Sequence, residues 1–195
     1  MILKFMDKMA RTVAILGGLV LMALVVLTCV SVLGRGMNTF GHSDFLIGLS
    51  KSLADGLVAS GVGPVNGDFE LVEAGVAFTV FSFLPLAQLY GAHATVDVFT
   101  STLPPRINRG LMAFWEILLS VTIILITVRL FAGLEDKLRY GETTFLLQFP
   151  IWWAYALSFG ASVVASIVAV YCASARTIEF LTGRALMPYS EGASH

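Results

Sequence analysis

The chain has 195 residues, of which 57% are hydrophobic and 13% are charged, with a net charge of −1. Soluble domains carry about 25% charged residues, so this chain has too few charges to cover a water-facing surface. The near-neutral balance also argues against a broad nucleic-acid surface. Cys29 and Cys172 stand alone in apolar runs and indicate neither a disulfide scaffold nor a zinc site. The composition predicts an integral membrane protein.

Four apolar runs are long enough to cross a bilayer, which takes about 20 residues in a helix. Inside hydrocarbon every backbone polar group needs a partner within the structure, so each run should be helical. We therefore predict an all-α integral membrane protein in which residues 1–195 form a single membrane domain. The predicted transmembrane helices are about 12–33, 69–90, 108–131 and 150–175.

The first run follows Lys4, Lys8 and Arg11. Its apolar core exceeds the roughly 7–15 residues of a signal peptide, and no small-residue cleavage motif follows, which predicts a retained anchor helix. Basic residues before a span favour the cytoplasmic side. With four spans, both termini are predicted to be cytoplasmic.

The segment of about residues 43–60 is predicted to be an amphipathic helix that lies flat at the outer interface, because charged Lys51 and Asp55 fall off its apolar stripe. A helix packed on the bundle is the alternative. The stripe recurs at a four-residue step through Phe45, Leu49, Leu53 and Leu57.

Four ionisable residues fall inside the apolar runs, where charges are costly and often functional. Glu70 and Glu73 share a face near the start of the second run. They could contact a partner protein or line an ion path. Alternatively, they could cap the helix at the interface, where the helix dipole favours carboxylates. Glu116 lies about 12 Å into its helix. We predict for it a hydrogen bond to a Ser, Thr or Trp of another helix rather than a proton relay. Arg129 is predicted to lie close enough to the end of its helix to reach the headgroups.

His93 and Asp97 stand four residues apart after Gly91. Together they make an incomplete metal site, since His42 and His195 are distant in sequence. We predict that the pair faces water at the inner interface, and we expect no metal, no cofactor and no catalytic residue. A haem-binding enzyme subunit would need histidines within the spans, which these positions do not supply.

The last run carries small residues at four-residue steps, which let another helix approach closely in lipid. Part of this face should serve the chain's own bundle, and a surplus would serve a partner. The candidate helix-packing face consists of Ser158, Ala161, Ser162, Ala165, Ser166 and Ala169.

Three stretches resemble a known family. Glu70 and Leu71 open the second run after a polar turn, residues 91–97 read G-x-H-x-x-V-D, and Glu142-Thr143-Thr144 leads to the aromatic segment 150–155. In this order, on a four-helix layout, the whole chain resembles the small, DctQ-like membrane subunit of tripartite ATP-independent periplasmic (TRAP) transporters.

The resemblance implies a small permease subunit, not an enzyme, in a sodium-coupled system of the bacterial inner membrane that takes up organic acids or similar solutes. Its implied partners are a large M-type membrane subunit, which moves solute and sodium, and a periplasmic P-type solute-binding protein. The small subunit would brace the large one in the bilayer and help dock the binding protein, with no nucleic-acid partner. The alternative is a self-sufficient four-helix exporter with Glu116 as its coupling carboxylate.

Overall fold

The computed structural model describes residues 2–91, 104–183 and Met187, and within these segments the chain is helical with no strand. Four of the helices are long and apolar enough to cross a membrane, which confirms the predicted all-α membrane fold. The helices are α1 (Ile2–Gly41), α2 (Asp44–Leu49), α3 (Lys51–Ala59), α4 (Asp68–Leu89), α5 (Pro105–Tyr140) and α6 (Trp152–Thr182).

Three of the long helices extend well beyond the predicted spans. Helix α1 has 40 residues and α5 has 36, so they are about 60 and 54 Å long, whereas the hydrocarbon core is about 30 Å thick. Only α4, with 22 residues, has a length close to that thickness. The apolar run marks where lipid must be, but the helix continues through charged turns until a residue such as Gly141, in the left-handed region at φ 62°, ends it.

The segment after α1 is helical as predicted, but it forms two short helices rather than one. Ser50 separates them, because its extended backbone (φ −161°, ψ 104°) cannot belong to a helix. Leu46 and Ala54 are buried, while Phe45 and Leu53 of the predicted stripe are exposed. The interfacial position of α2 and α3 stays a prediction.

The four long helices are arranged in an open row in the order α1, α4, α6, α5. Helix α1 packs along α4, α4 along α6, and α6 along α5, whereas α1 and α5 do not meet within the described segments. Glycines permit close approach along the row: Gly17 faces Ser82, and Gly133 faces the ring of Tyr155. The two outer helices therefore pack on one side and leave much of their apolar surface uncovered.

One face of α1 carries the connection to α4. Gly34 lies so close to the carbonyl group of Gly63 that an added Cβ would be 2.1 Å from its oxygen. One turn further on, Asn38 Nδ2 donates to Val62 O at 3.1 Å. This face recurs at three- and four-residue steps and consists of Ser31, Gly34, Asn38 and Gly41.

Candidate functional site

Charged and polar side chains form a layer at the end of the row where α4 begins, here called the Asp68 end. Ser31 Oγ donates to Asp68 Oδ2 at 2.5 Å and accepts from Val65 N at 3.2 Å. Arg35 Nη2 lies 3.8 Å from the same carboxylate oxygen. These contacts fix the start of α4 to the C-terminal part of α1.

Glu70 holds the connection between α5 and α6. Its two carboxylate oxygens accept from Leu146 N at 2.6 Å and Leu147 N at 2.9 Å. The Leu147 side chain packs where Gly67 has no Cβ, and Gly67 also needs its positive φ of 77° to begin α4. The predicted roles of Glu70 were a contact to a partner, an ion path or an interfacial cap, whereas this contact is made within the chain.

Glu73 lies one turn further along α4 and is exposed. With Glu70 it lines a cavity of about 330 Å³ between α4, α5, α6 and the 141–151 connection, here called the Glu73 cavity. Thr144, Tyr155 and Ser158 supply hydroxyl groups to its lining, and the remaining walls are apolar. The Ser158 hydroxyl is buried and has no hydrogen-bond partner among the described residues.

A second polar cluster lies at the opposite end of α4, here called the Tyr90 end. Tyr90 OH donates to Asp7 Oδ1 at 2.7 Å, and Arg11 Nε donates to both oxygens of Asp7 at 2.9 Å. The Arg11 guanidinium also donates to the Tyr90 hydroxyl. The 22 residues of α4 separate the two polar layers by about 32 Å, which matches the hydrocarbon thickness of about 30 Å.

Glu116 meets the side chain of Gln88, which sequence reasoning missed. Gln88 Nε2 donates to Glu116 Oε1 at 2.7 Å and to Ser120 Oγ at 3.3 Å, and Ser120 Oγ donates to Ala169 O at 2.8 Å. The partner of Glu116 is therefore an amide rather than the expected Ser, Thr or Trp. The only sequence signal for Gln88 was an amide in the last turn of an apolar run.

The contact with Gln88 shows where Glu116 lies relative to α4. Because Glu116 lies beside Gln88, the penultimate residue of α4, it is close to the Tyr90 end rather than deep in the row. Helix α5 begins at Pro105, so its first three turns project past the end of α4. The distance of Glu116 from the start of its own helix therefore does not give its distance from the Tyr90 end.

The Gln88–Glu116 contact can be tested by a double-mutant cycle. We expect Gln88→Met to lower the thermal unfolding midpoint in detergent, because Glu116 loses its donor, and Glu116→Met to lower it less. The double variant removes both groups and should recover part of the loss, with a coupling of roughly 1 kcal/mol. Strictly additive losses would show that the contact contributes nothing.

The remaining predicted residues are placed as follows. Arg129 is exposed, and α5 continues to Tyr140, so Arg129 is not near the end of its helix although it is near the end of its apolar run. His93 and Asp97 lie outside the described residues. Within the described segments, no group of three or more His, Cys, Asp or Glu residues could hold a metal ion.

The small-residue face of α6 is used inside the chain. Thr127 on α5 shares a hydrogen bond of 2.9 Å with Ser166 Oγ and donates to Ser162 O at 3.2 Å. Ser166 is half-buried on this face. The other five predicted residues are buried between α4 and α5: Ser158, Ala161, Ser162, Ala165 and Ala169.

Comparison with known proteins assigns the family. No curated protein and no solved structure matches the chain. The family model described as "Tripartite ATP-independent periplasmic transporters, DctQ component" matches residues 24–179. The match begins within α1 and ends within the last turn of α6, so it includes α4 and α5 entirely and covers well over half of the chain. The chain therefore belongs to the DctQ family, the small permease component of TRAP transporters.

Proposed function

We propose that the chain braces the large membrane component of a sodium-coupled TRAP transporter, and the open row of helices is the observation that carries the proposal. A closed bundle would cover its own apolar faces, but α1 packs mainly along α4 and α5 mainly along α6, and within the described segments α1 and α5 do not meet. Phe114, Trp115 and Leu125 of α5 remain exposed. Such a broad face, as tall as the bilayer is thick, suits a second membrane protein.

The polar groups of the row support a bracing role rather than a transport role. Asp7 bonds to Tyr90, Glu70 to the 141–151 connection and Glu116 to Gln88. Groups held in this way fix the helices relative to one another and favour a rigid support. Solute and sodium ions would then be handled by the large component, and the solute would be an organic acid or a similar compound.

The proposed setting is the bacterial inner membrane with both termini in the cytoplasm. The Asp68 end then faces the periplasm and presents α2, α3 and the 141–151 connection. Glu70 fixes this connection through two backbone amides, which gives the periplasmic binding protein a surface of defined shape. We propose that this surface helps dock the binding protein.

The proposal is tested by co-expression of the tagged chain with the large component. We expect the two to co-elute in detergent, and we expect uptake into proteoliposomes to need both components, the binding protein and a sodium gradient. Uptake by the isolated chain, abolished by Glu116→Gln, would instead establish the exporter. A chain that purifies without the large component under these conditions would contradict the bracing role.

A further inference from the structure

Glu73 is an acidic residue within the apolar run of α4, where a charge is costly. It follows Asp68 by five residues, which is about 8 Å along α4, so its exposed carboxylate lies within the apolar run. A charge facing hydrocarbon is costly and usually has a partner. Within the described segments, the carboxylates that form ion pairs are others, namely Asp7, Asp68, Glu142 and Glu179.

The neighbouring acid shows the contrast. Both oxygens of Glu70 are occupied by the amides of Leu146 and Leu147. Glu73 has no such contact with the described residues, although both acids line the same cavity. Of the two carboxylates on this face of α4, Glu73 is the one that remains available to a group from outside the chain.

A second observation comes from α6. Ser158 is 1% exposed and lines the Glu73 cavity, and its hydroxyl has no hydrogen-bond partner among the described residues. Buried hydroxyl groups are normally hydrogen-bonded, so an orphaned one calls for a missing partner. An occupant of the cavity that carries N–H groups would supply it.

The shape of the cavity limits the occupant. Its volume is about 330 Å³, and its walls are mostly apolar, with Ala77, Leu130 and Phe149 among them. Glu73 and Ala77 are exposed, so the cavity reaches the surface on the α4 side. An alkyl stem that ends in a cation fits apolar walls and an acidic edge, and lysine and arginine side chains have this form.

We propose that the Glu73 cavity receives a lysine or arginine side chain of the large membrane component, a proposal that rests on the proposed function. A lipid with an amine headgroup fits less well, because its phosphate would meet Glu70 and Glu73. No Lys, Arg or His is among the lining residues to balance it. A protein side chain brings the cation without the anion.

The test measures binding of the purified chain to the large component in nanodiscs. Glu73→Gln keeps the size of the side chain and removes its charge, and we expect it to weaken binding by about tenfold or more. Asp55→Asn, which removes an exposed charge from α3, is the matched control and should bind like the unchanged chain.

Charge reversal identifies the occupant. Glu73→Lys should abolish binding, and changing one basic residue of the large component to glutamate should restore it. If no reversal among the basic residues in the same half of its membrane domain restores binding, the proposal is overturned. It is also overturned if the effect of Glu73→Gln disappears in nanodiscs without amine headgroups, because the occupant is then a lipid.

The two proposals fail in different ways. If the unchanged chain does not bind the large component, both are overturned. If the unchanged chain binds and Glu73→Gln binds equally well, only the cavity proposal is overturned. As a control for folding, the thermal unfolding midpoint of each variant is measured in the absence of the large component.

Discussion

Replacing Gly34 by alanine should loosen the connection between α1 and α4. The added Cβ would lie 2.1 Å from Gly63 O and 2.8 Å from Gly63 C, so backbone atoms rather than a flexible side chain would have to move. That backbone cannot move freely, because Asn38 holds Val62 O and Ser31 holds Val65 N on either side of it. Overpacking of this kind costs about 1–3 kcal/mol, which should lower the thermal midpoint by several degrees.

Gly36 offers a matched control in the same part of α1. An alanine there would meet nothing within 4 Å, and it should gain up to about 1 kcal/mol of helix propensity over glycine. Hydrogen exchange should show faster exchange of the Val65 amide, which donates to Ser31 Oγ, for Gly34→Ala and no change for Gly36→Ala. Equal midpoints and equal exchange for the two variants would contradict the close approach of α1 and the connection.

The spans could be predicted from the sequence because hydrophobic run length reports directly on bilayer thickness. The same pattern does not mark helix ends, since a helix leaving the lipid continues through charged turns, as α5 does up to Tyr140. The break at Ser50 depends on one extended backbone conformation in an otherwise helical segment. Nothing in the periodicity of residues 43–60 indicates it.

The site was predicted less completely than the spans, because its residues meet across helices whose order the sequence does not state. Spacing within α4 placed Glu70 and Glu73 on one face, and the structure puts both at one cavity. It could not show that Glu70 binds the 141–151 connection. The contact of Gln88 with Glu116 likewise depends on how far α5 projects past the end of α4.

Replacing Ala165 by leucine should push both α4 and α5 away from α6. Ala165 is fully buried, with Ile123 of α5 and Leu84 of α4 packed in the same cluster. Because α6 lies between these two helices, a larger side chain cannot be relieved by moving only one of them. We expect a loss of about 1–3 kcal/mol in the free energy of unfolding, measured as a lower thermal midpoint in detergent.

Gly160→Leu provides the control on the same helix, since Gly160 is exposed and an added Cβ there would meet nothing within 4 Å. It introduces an even larger change in side-chain volume, yet its midpoint should stay close to that of the unchanged chain. Ala165→Leu should in addition weaken binding to the large component, because the spacing of α4 and α5 sets the shape of the row. An unchanged midpoint for Ala165→Leu would mean that α4 and α5 do not both pack against α6 at this position. That result would contradict the helix order of the open row.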